Sequence, residues 1–117
     1  MATLAAQKIT DTGTIASMST ATGGGDEFKN TGLEFLFVQN AHSGSHTVTV
    51  TAQVTNIHHQ QFGTVVKENI VKVVTAGAEA FIGPFKQPAF NDSNNKVQIT
   101  YSAVTSLNVA VLYLDQQ

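Results

Sequence analysis

Four histidines are the residues of this 117-residue chain whose type most directly suggests chemistry. His42 and His46 bracket a Ser-Gly-Ser segment, and His58 and His59 are adjacent. Neutral imidazoles bind zinc when other ligands lie at close spacing, but no carboxylate or thiolate completes such a pattern here. Adjacent residues of an extended chain also point to opposite faces. We therefore expect no metal site and no cofactor, with the histidines on loops or at an interface.

Acidic and glycine-rich segments supply reactive groups, but their spacing does not match a catalytic motif. The glycines at 23–25 precede Asp26, yet a phosphate-binding loop needs a lysine and a following helix, and both are missing. We interpret Asp26, Glu27 and Asp92 as solvated loop acids, because loops are where charges normally lie. No Gly-x-Ser-x-Gly nucleophile motif occurs. The sequence therefore predicts a protein that is not an enzyme.

The elements that position these residues are strands. Residues 47–55 alternate valine and alanine with threonine and glutamine, which is typical of a half-buried strand. Residues 33–38 predict a more buried strand, and residues 40–45 predict the turn of a hairpin between the two. About seven or eight short strands at this spacing predict an all-β, two-sheet sandwich of jelly-roll type. The remaining predicted strands lie within 63–74 and over 78–83, 97–101 and 107–114.

Composition limits the function classes. Hydrophobic residues make up 42% of the chain, enough for one core. Charged residues make up 12%, against a typical value of roughly 25%, and a sparsely charged surface favours an assembly protein. The chain has no arginine, its six lysines are scattered and its net charge is −2, so we expect no direct contact with nucleic acid. The absence of cysteine excludes disulfides and thiolate metal sites.

The N-terminal region differs from the rest of the chain. It shows no secretory signal, and no apolar run approaches the roughly 18 residues of a membrane span, so we expect no membrane contact. We divide the chain into an N-terminal arm with a glycine-rich hinge (1–25) and a sandwich domain (26–117). An extended arm would lie along a neighbouring chain, whereas an edge strand would join its own sheet, and the sequence leaves both open. The arm's candidate contact residues are Leu4, Ile9 and Ile15.

Two further groups of apolar residues are candidates for an interface. The C-terminal half of the strand at 107–114 is apolar on both faces, which is typical of a strand under a core or a partner. We expect Leu112 and Leu114 to be hidden in a homotrimer. Phe81, Phe85 and Phe90 lie around Pro84 and Pro88, and this group would either line a sugar or peptide groove or fold onto the rim of the core.

The order of these pieces resembles the small head decoration (cement) proteins of tailed bacteriophages. Residues 24–32 (Gly-Gly-Asp-Glu-Phe-Lys-Asn-Thr-Gly) lead into the strand that begins at residue 33. Residues 74–85 follow with Val-Thr-Ala-Gly-Ala-Glu-Ala-Phe-Ile-Gly-Pro-Phe, and then come Phe-Asn-Asp at 90–92 and Val-Gln-Ile-Thr-Tyr-Ser at 97–102. The resemblance extends from about Asp26 to Leu114.

The resemblance implies a structural role outside an assembled capsid. Proteins of this family are jelly-roll-like sandwiches that sit, usually as homotrimers, at local threefold positions of the shell. They bridge neighbouring capsomers after the shell expands and hold it against the pressure of the packaged DNA. The expected partner is the major capsid protein, and the expected location is the exterior of the virion, after synthesis in the host bacterial cytoplasm. Family members differ in their contacting loops, so no contact residue is carried over.

Two other functions compete with this one. The first is another virion component of similar fold, such as a head-fibre base or a tail protein. The second is a carbohydrate-binding module that uses the loop around Phe85 and Phe90. The chain has no tryptophan, the usual sugar-stacking residue, and this weighs against the carbohydrate function.

Overall fold

The alternating segments of the sequence form twelve strands and one helical turn in the part of the chain that the structure describes. That structure is a computed structural model, which describes residues 2–53, 56–59, 63–66 and 68–114. The elements are β1 (Ala2–Leu4), β2 (Ala6–Ile9), β3 (Ser19–Thr20), β4 (Asp26–Lys29), β5 (Glu34–Asn40), β6 (His46–Thr51), β7 (Asn56–His59), β8 (Gly63–Val66), β9 (Ile70–Val74), β10 (Glu79–Ile82), α1 (Gln87–Phe90), β11 (Lys96–Tyr101) and β12 (Leu107–Leu114).

Ten of these strands pack as two sheets of five. Sheet A has the order β1-β4-β11-β6-β9, and sheet B has the order β10-β5-β12-β2, with β3 also paired to β12. The strands β7 and β8 pair only with each other among the described residues. The predicted all-β, two-sheet sandwich is confirmed. The last predicted strand, 107–114, coincides with β12, the central strand of sheet B.

The core lies between the two sheets and follows from the two-residue period of their strands. In β5 and β12 every second side chain points inward. The same alternation buries the valines of β6 and the apolar residues of β11, while the threonines of β6 stay half-buried on the outer face. Each fully buried aliphatic side chain contributes roughly 1.5–3 kcal/mol. The central residues of this core are Leu36, Val38, Val48, Val50, Val97, Ile99, Val109 and Val111.

The hairpin predicted between β5 and β6 is wrong, because these strands lie in different sheets. The turn after β5 carries the chain from sheet B to sheet A. The side chain of Asn40 holds this crossing: its Nδ2 donates to the carbonyls of Gly44 and Val74, both at 2.9 Å, and its Oδ1 accepts from the N–H of His42. A turn-forming composition at 40–45 fits either path, since it does not specify the sheet that the next strand joins.

The N-terminal stretch forms edge strands of its own sandwich. β1 pairs parallel with β4 at the edge of sheet A, and β2 pairs parallel with β12 at the edge of sheet B. The chain therefore crosses between the sheets at Ala5, and Leu4 is buried in the core. The sequence left open either an arm along a neighbouring chain or an edge strand of the chain's own sheet, and the structure has the edge strands.

Three further segments differ in detail from the expectations. The strand predicted over 47–55 is described as β6 only to Thr51, and residues 54–55 lie outside the described residues. The segment 63–74 forms two strands that join different sheets. The loop after β10 contains the single turn α1, whose Phe90 is buried. No helix within the described ranges has both the length and the apolar character that crossing a membrane would require.

Candidate docking surface

The outer face of sheet B is apolar across four strands. Side chains directly opposite each other in a ladder share one face of the sheet. The register places Phe81 opposite Phe37 and Phe37 opposite Ala110, while Leu112 stands between Phe35 and Gln7. At the end of β12, Leu114 lies opposite Ile9. We call this surface the apolar face and define it as Ile9, Phe35, Phe37, Phe81, Ala110, Leu112 and Leu114.

Aromatic contacts give the apolar face a fixed shape. The rings of Phe37 and Phe81 stack with their centroids 4.6 Å apart and their planes at 11°. The ring of Phe35 meets that of Phe81 edge-on at 6.0 Å. Such pairs contribute about 0.5–1.5 kcal/mol beyond their area of burial. The three rings therefore form a preorganised platform rather than independent side chains.

This platform is open to water in the isolated chain. Phe81 is 67% exposed and Leu114 is 61% exposed, while Phe35, Phe37 and Ile9 are half-buried. The exposed residues surround Leu112, which is buried in the middle of the face. Contiguous apolar patches of a few hundred Å² on a small protein commonly mark interaction sites. The apolar face is the surface that best fits this description.

Charge is almost absent from the apolar face. Its polar neighbours on the same side of the sheet are Gln7, Gln39 and Asn108, and its charged neighbour there is Glu79 at one corner. The centres of protein interfaces are depleted in charged residues and enriched in aromatic ones. A partner therefore desolvates little charge when it covers this face.

The loop between β2 and β3 lies beside the apolar face and presents one more apolar side chain, that of Ile15. Gln7 clamps the loop by donating from Nε2 to the carbonyl of Ser17 and accepting at Oε1 from the N–H of Ser17, both at 2.8 Å. Within the loop, Thr14 Oγ1 donates to the carbonyl of Lys8 at 3.1 Å. These bonds hold the loop against β2 while Ile15 stays 97% exposed. Ile15 is therefore available as an anchor next to the end of β2.

The structure separates the predicted interface residues into two groups. Ile9, Leu112 and Leu114 lie on the outer side of sheet B, where Leu112 is already buried by its own chain, and Ile15 lies in the loop between β2 and β3. Leu4, Phe85 and Phe90 are instead buried in the core of the same chain. The ring of Phe85 packs 5.7 Å from both Phe28 and Phe90. These buried residues stabilise the fold and are not available to a partner of the folded chain.

The sequence pattern singled out Phe81, together with Phe85 and Phe90, but it did not indicate Phe35 and Phe37 as surface residues. Phe35 and Phe37 alternate with Leu36 and Val38, so each pair faces a different side of the sheet. Because both sets are apolar, the segment resembles a strand covered on both faces. One signal was available in β10, where Glu79 and Phe81 lie two residues apart and therefore share one face of the sheet. A charged residue on that face indicates that the face is open to water.

Asp26 is a buried structural acid, so its interpretation as a solvated loop residue is wrong. Its side chain is fully buried at the start of β4. Its Oδ2 accepts from the hydroxyl of Tyr101 at 2.7 Å and from the N–H of Thr22 at 3.2 Å. Burial raises the pKa of Tyr101, and the hydrogen bond to the Asp26 carboxylate raises it further. This pair ties β4 to β11 within the core.

Of the other two acids, Glu27 lies on the outer face of β4 and not on a loop as expected, and Asp92 lies in the turn before β11. Lys96 Nζ lies 2.9 Å from Glu27 Oε2, and Gln98 Nε2 donates to Asp92 Oδ2 at 2.6 Å. Hydrogen bonds from Lys96 and Gln98 lower the pKa of Glu27. Burial acts to raise the pKa of Asp92, but hydrogen bonds from Lys96, Gln98 and Asn94 together lower it. A general acid needs a raised pKa at neutral pH, so these paired carboxylates fit a structural role.

The histidines that the structure describes stabilise a turn. The rings of His42 and His46 stack with centroids 5.0 Å apart. His42 Nδ1 accepts from the N–H of Gly44 at 3.1 Å, and His46 Nε2 lies 2.9 Å from the carbonyl of Thr105. The side chains of His58 and His59 lie outside the described residues. No cluster of three or more metal-ligating side chains occurs among the side chains that are described.

The groove beside the proline-rich loop offers no exposed aromatic ring. Its lining includes Pro84, Pro88 and Gln87 on one side and Thr31 with Gly32 on the other. Phe85 also borders the groove, but only 1% of it is exposed. A sugar stacks on an accessible ring face, and this groove does not present one.

Comparisons with known proteins add no relative to this description. No protein-family model matches the chain, and neither a curated protein nor a solved structure matches it.

Proposed function

We propose that this protein is a virion structural protein that decorates and cements the outside of a bacteriophage capsid. The observation that carries the proposal is the apolar face, a rigid aromatic surface that is open to water in the isolated chain. In the proposed assembly the apolar face packs against the major capsid protein or a neighbouring subunit. The protein then bridges capsomers of the expanded shell, as a homotrimer of the kind that the resemblance implies.

Phe81 is the most exposed ring of the apolar face. A phenylalanine presents roughly 200 Å² of surface, and 67% of Phe81 is exposed. Covering that area would contribute about 3 kcal/mol at the usual coefficient of ~25 cal/mol per Å². Leu114 adds further exposed apolar area on the apolar face, and Ile15 is exposed in the loop whose Ser17 is held by Gln7. Because this gain requires only contact, it fits a protein that acts by binding.

Cementing is a matter of mass action. A protein that binds the expanded shell, and not its broken form, stabilises the expanded shell in proportion to its occupancy. Many copies on one closed shell multiply a modest contact at each site. With little charge on the apolar face, the contact should also tolerate salt, since screening acts mainly on charges.

Binding to shells tests the proposal directly. Purified full-length protein is mixed with expanded capsids that lack it, and the bound fraction is measured by co-sedimentation. We expect saturable binding that survives high salt. Leu114→Asp, which places a carboxylate on the apolar face, should reduce the affinity about tenfold or more.

The matched control is Val73→Asp, because Val73 is 52% exposed on the outer face of the other sheet. We expect it to bind like the unmodified protein. Equal binding by Leu114→Asp and Val73→Asp would exclude the apolar face as the docking surface. Failure of the unmodified protein to bind any expanded shell would exclude the cement function and favour a fibre or tail component.

A further inference from the structure

β10 is an edge strand with one free side. It pairs with β5, and within the described residues no strand pairs with its other side. In the antiparallel ladder of β10 and β5, Glu79 lies opposite Gln39. At the next pair along this ladder, the N–H of Asn40 donates to the carbonyl of Ala78 at 3.0 Å. This bond identifies which residues of β10 direct their backbone groups toward β5.

Hydrogen-bonded pairs alternate along an antiparallel ladder. Since Ala78 is bonded to Asn40, the next bonded residues of β10 are Ala80 and Ile82. The backbone N–H and C=O groups of Glu79 and Phe81 therefore point away from β5. They form an open hydrogen-bonding edge directly beside the stacked rings of the apolar face.

We propose that two copies of this chain pair antiparallel through their β10 edges, about a twofold axis that passes beside Phe81. In this pairing each Phe81 N–H donates to the Phe81 carbonyl of the second copy. Sheet B then continues across both copies. The stacked pair formed by Phe37 and Phe81 meets its equivalent in the second copy, so four rings form one row.

Side-chain chemistry selects this register among those that the open edge permits. Centring on Phe81 places an aromatic pair directly opposite and sets each Glu79 against Gly83 of the second copy. A shift that centres on Glu79 would set two carboxylates opposite each other, and like charges in that position are destabilising. A shift that centres on Ala80 would set each carboxylate against a phenyl ring.

The short length of the edge favours a second copy over a longer strand from another protein. A turn precedes β10, where the N–H of Ala78 donates to the carbonyl of Thr75. Gly83 follows it with a φ of +124°, and a Cβ there would lie 3.1 Å from the Cα of Phe35. The open edge is therefore four residues long, and the β10 of a second copy matches it in length.

The expected contact is weak in free solution. A four-residue edge buries far less than the roughly 800 Å² per partner of a stable interface. High local concentration on a shell would populate it. This use of the contact rests on the proposed function, and there it would link copies from neighbouring trimers. The pairing itself does not require a shell.

Cysteine crosslinking tests the pairing in the full-length chain, which has no cysteine of its own. Directly opposite residues in a hydrogen-bonded pair have Cα atoms about 5.5 Å apart, which suits a disulfide. Phe81→Cys replaces the central ring pair with a thiol pair but keeps the backbone hydrogen bonds and the placement of Glu79 opposite Gly83, so we expect it to form disulfide-linked dimers under mild oxidation about tenfold faster than Val73→Cys. Val73 is the control because it is similarly exposed on β9, the edge strand of sheet A.

A backbone variant separates strand pairing from random collision. Glu79→Pro removes an N–H that points away from β5, so it blocks the open edge without breaking the ladder of sheet B. Combined with Phe81→Cys it should reduce crosslinking to the rate of Val73→Cys, whereas Glu79→Ala with Phe81→Cys should crosslink as fast as Phe81→Cys alone.

Two results would overturn the pairing. One is equal crosslinking rates for Phe81→Cys and Val73→Cys. The other is an unchanged rate in the proline variant, with circular dichroism used to check that each variant is folded. Because the assay contains no shells, either result leaves the proposed capsid function to be tested separately through Leu114→Asp.

Discussion

The ring of Phe81 stacks on the ring of Phe37 with centroids 4.6 Å apart, although Phe81 remains 67% exposed to water. Phe37 belongs to the central part of sheet B, while Phe81 belongs to its edge strand. The stack therefore connects the rigid interior of the sheet to its most exposed ring. This relationship makes the apolar face a defined surface before any partner arrives.

The first prediction compares an exposed phenylalanine with a buried one. Phe81→Ala should lower the free energy of unfolding by only about 1 kcal/mol, because it removes mainly the ring stack. Phe85→Ala should lower it by about 3–5 kcal/mol, because Phe85 is packed in the core. Urea denaturation followed by circular dichroism measures both values. Equal losses would contradict the assignment of Phe85 to the core and Phe81 to the surface.

The second prediction concerns the N-terminal strands. Leu4 is buried where β1 joins sheet A, so Leu4→Ala should lower the unfolding free energy by about 2–4 kcal/mol. Ile15→Ser should change it by less than about 0.5 kcal/mol, since Ile15 is 97% exposed. Thermal and urea unfolding provide the comparison. A negligible effect of Leu4→Ala would instead indicate that β1 leaves the sandwich in solution.

These two comparisons also show what the sequence was able to predict. The alternation in β6 and β11 predicted strands correctly, because Val48 and Val50 share one face of β6, and Val97 and Ile99 share one face of β11. The sheet assignment of β5 and β6 was not predictable from the turn between them, since short-range signals do not carry that information. The burial of Asp26 depends on Tyr101, which lies 75 positions away along the chain.

The candidate surface was predictable only in part. Leu112 and Leu114 were found because β12 is apolar on both faces. Phe35 and Phe37 were missed because they belong to another strand, and only the register brings them beside β12, while Phe81 was grouped with Phe85 and Phe90. Leu4, Phe85 and Phe90 are apolar residues near loops or termini, and from composition alone such residues are indistinguishable from surface anchors.

The third prediction is a dependence of stability on alkaline pH. Burial raises the pKa of Tyr101 in the folded state above its ordinary value of 10.0. Below pH 10 the Tyr101 hydroxyl keeps its proton in both the folded and the unfolded state. Above pH 10 the unfolded state loses this proton first, so Tyr101 should lower the unfolding free energy by up to about 1.4 kcal/mol per pH unit.

Tyr101→Phe is the matched control for that dependence. It should lower the unfolding free energy near neutral pH by about 1.5–3 kcal/mol, because the hydroxyl no longer donates to the buried carboxylate of Asp26. Above pH 10 the difference between this variant and the unmodified protein should shrink. Urea unfolding at a series of pH values measures it, and a difference that stays constant up to alkaline pH would disprove the role assigned to Tyr101.

The release of DNA from heated capsids tests the cement function most directly. Filled, expanded shells that lack this protein are incubated with the unmodified chain, with Leu114→Asp or with Val73→Asp, and DNA release is followed with a fluorescent dye as temperature rises. The unmodified chain and Val73→Asp should both shift release to higher temperature, and Leu114→Asp should leave it near that of bare shells. Release at the same temperature with and without the unmodified chain, at saturating occupancy, would contradict the proposed function.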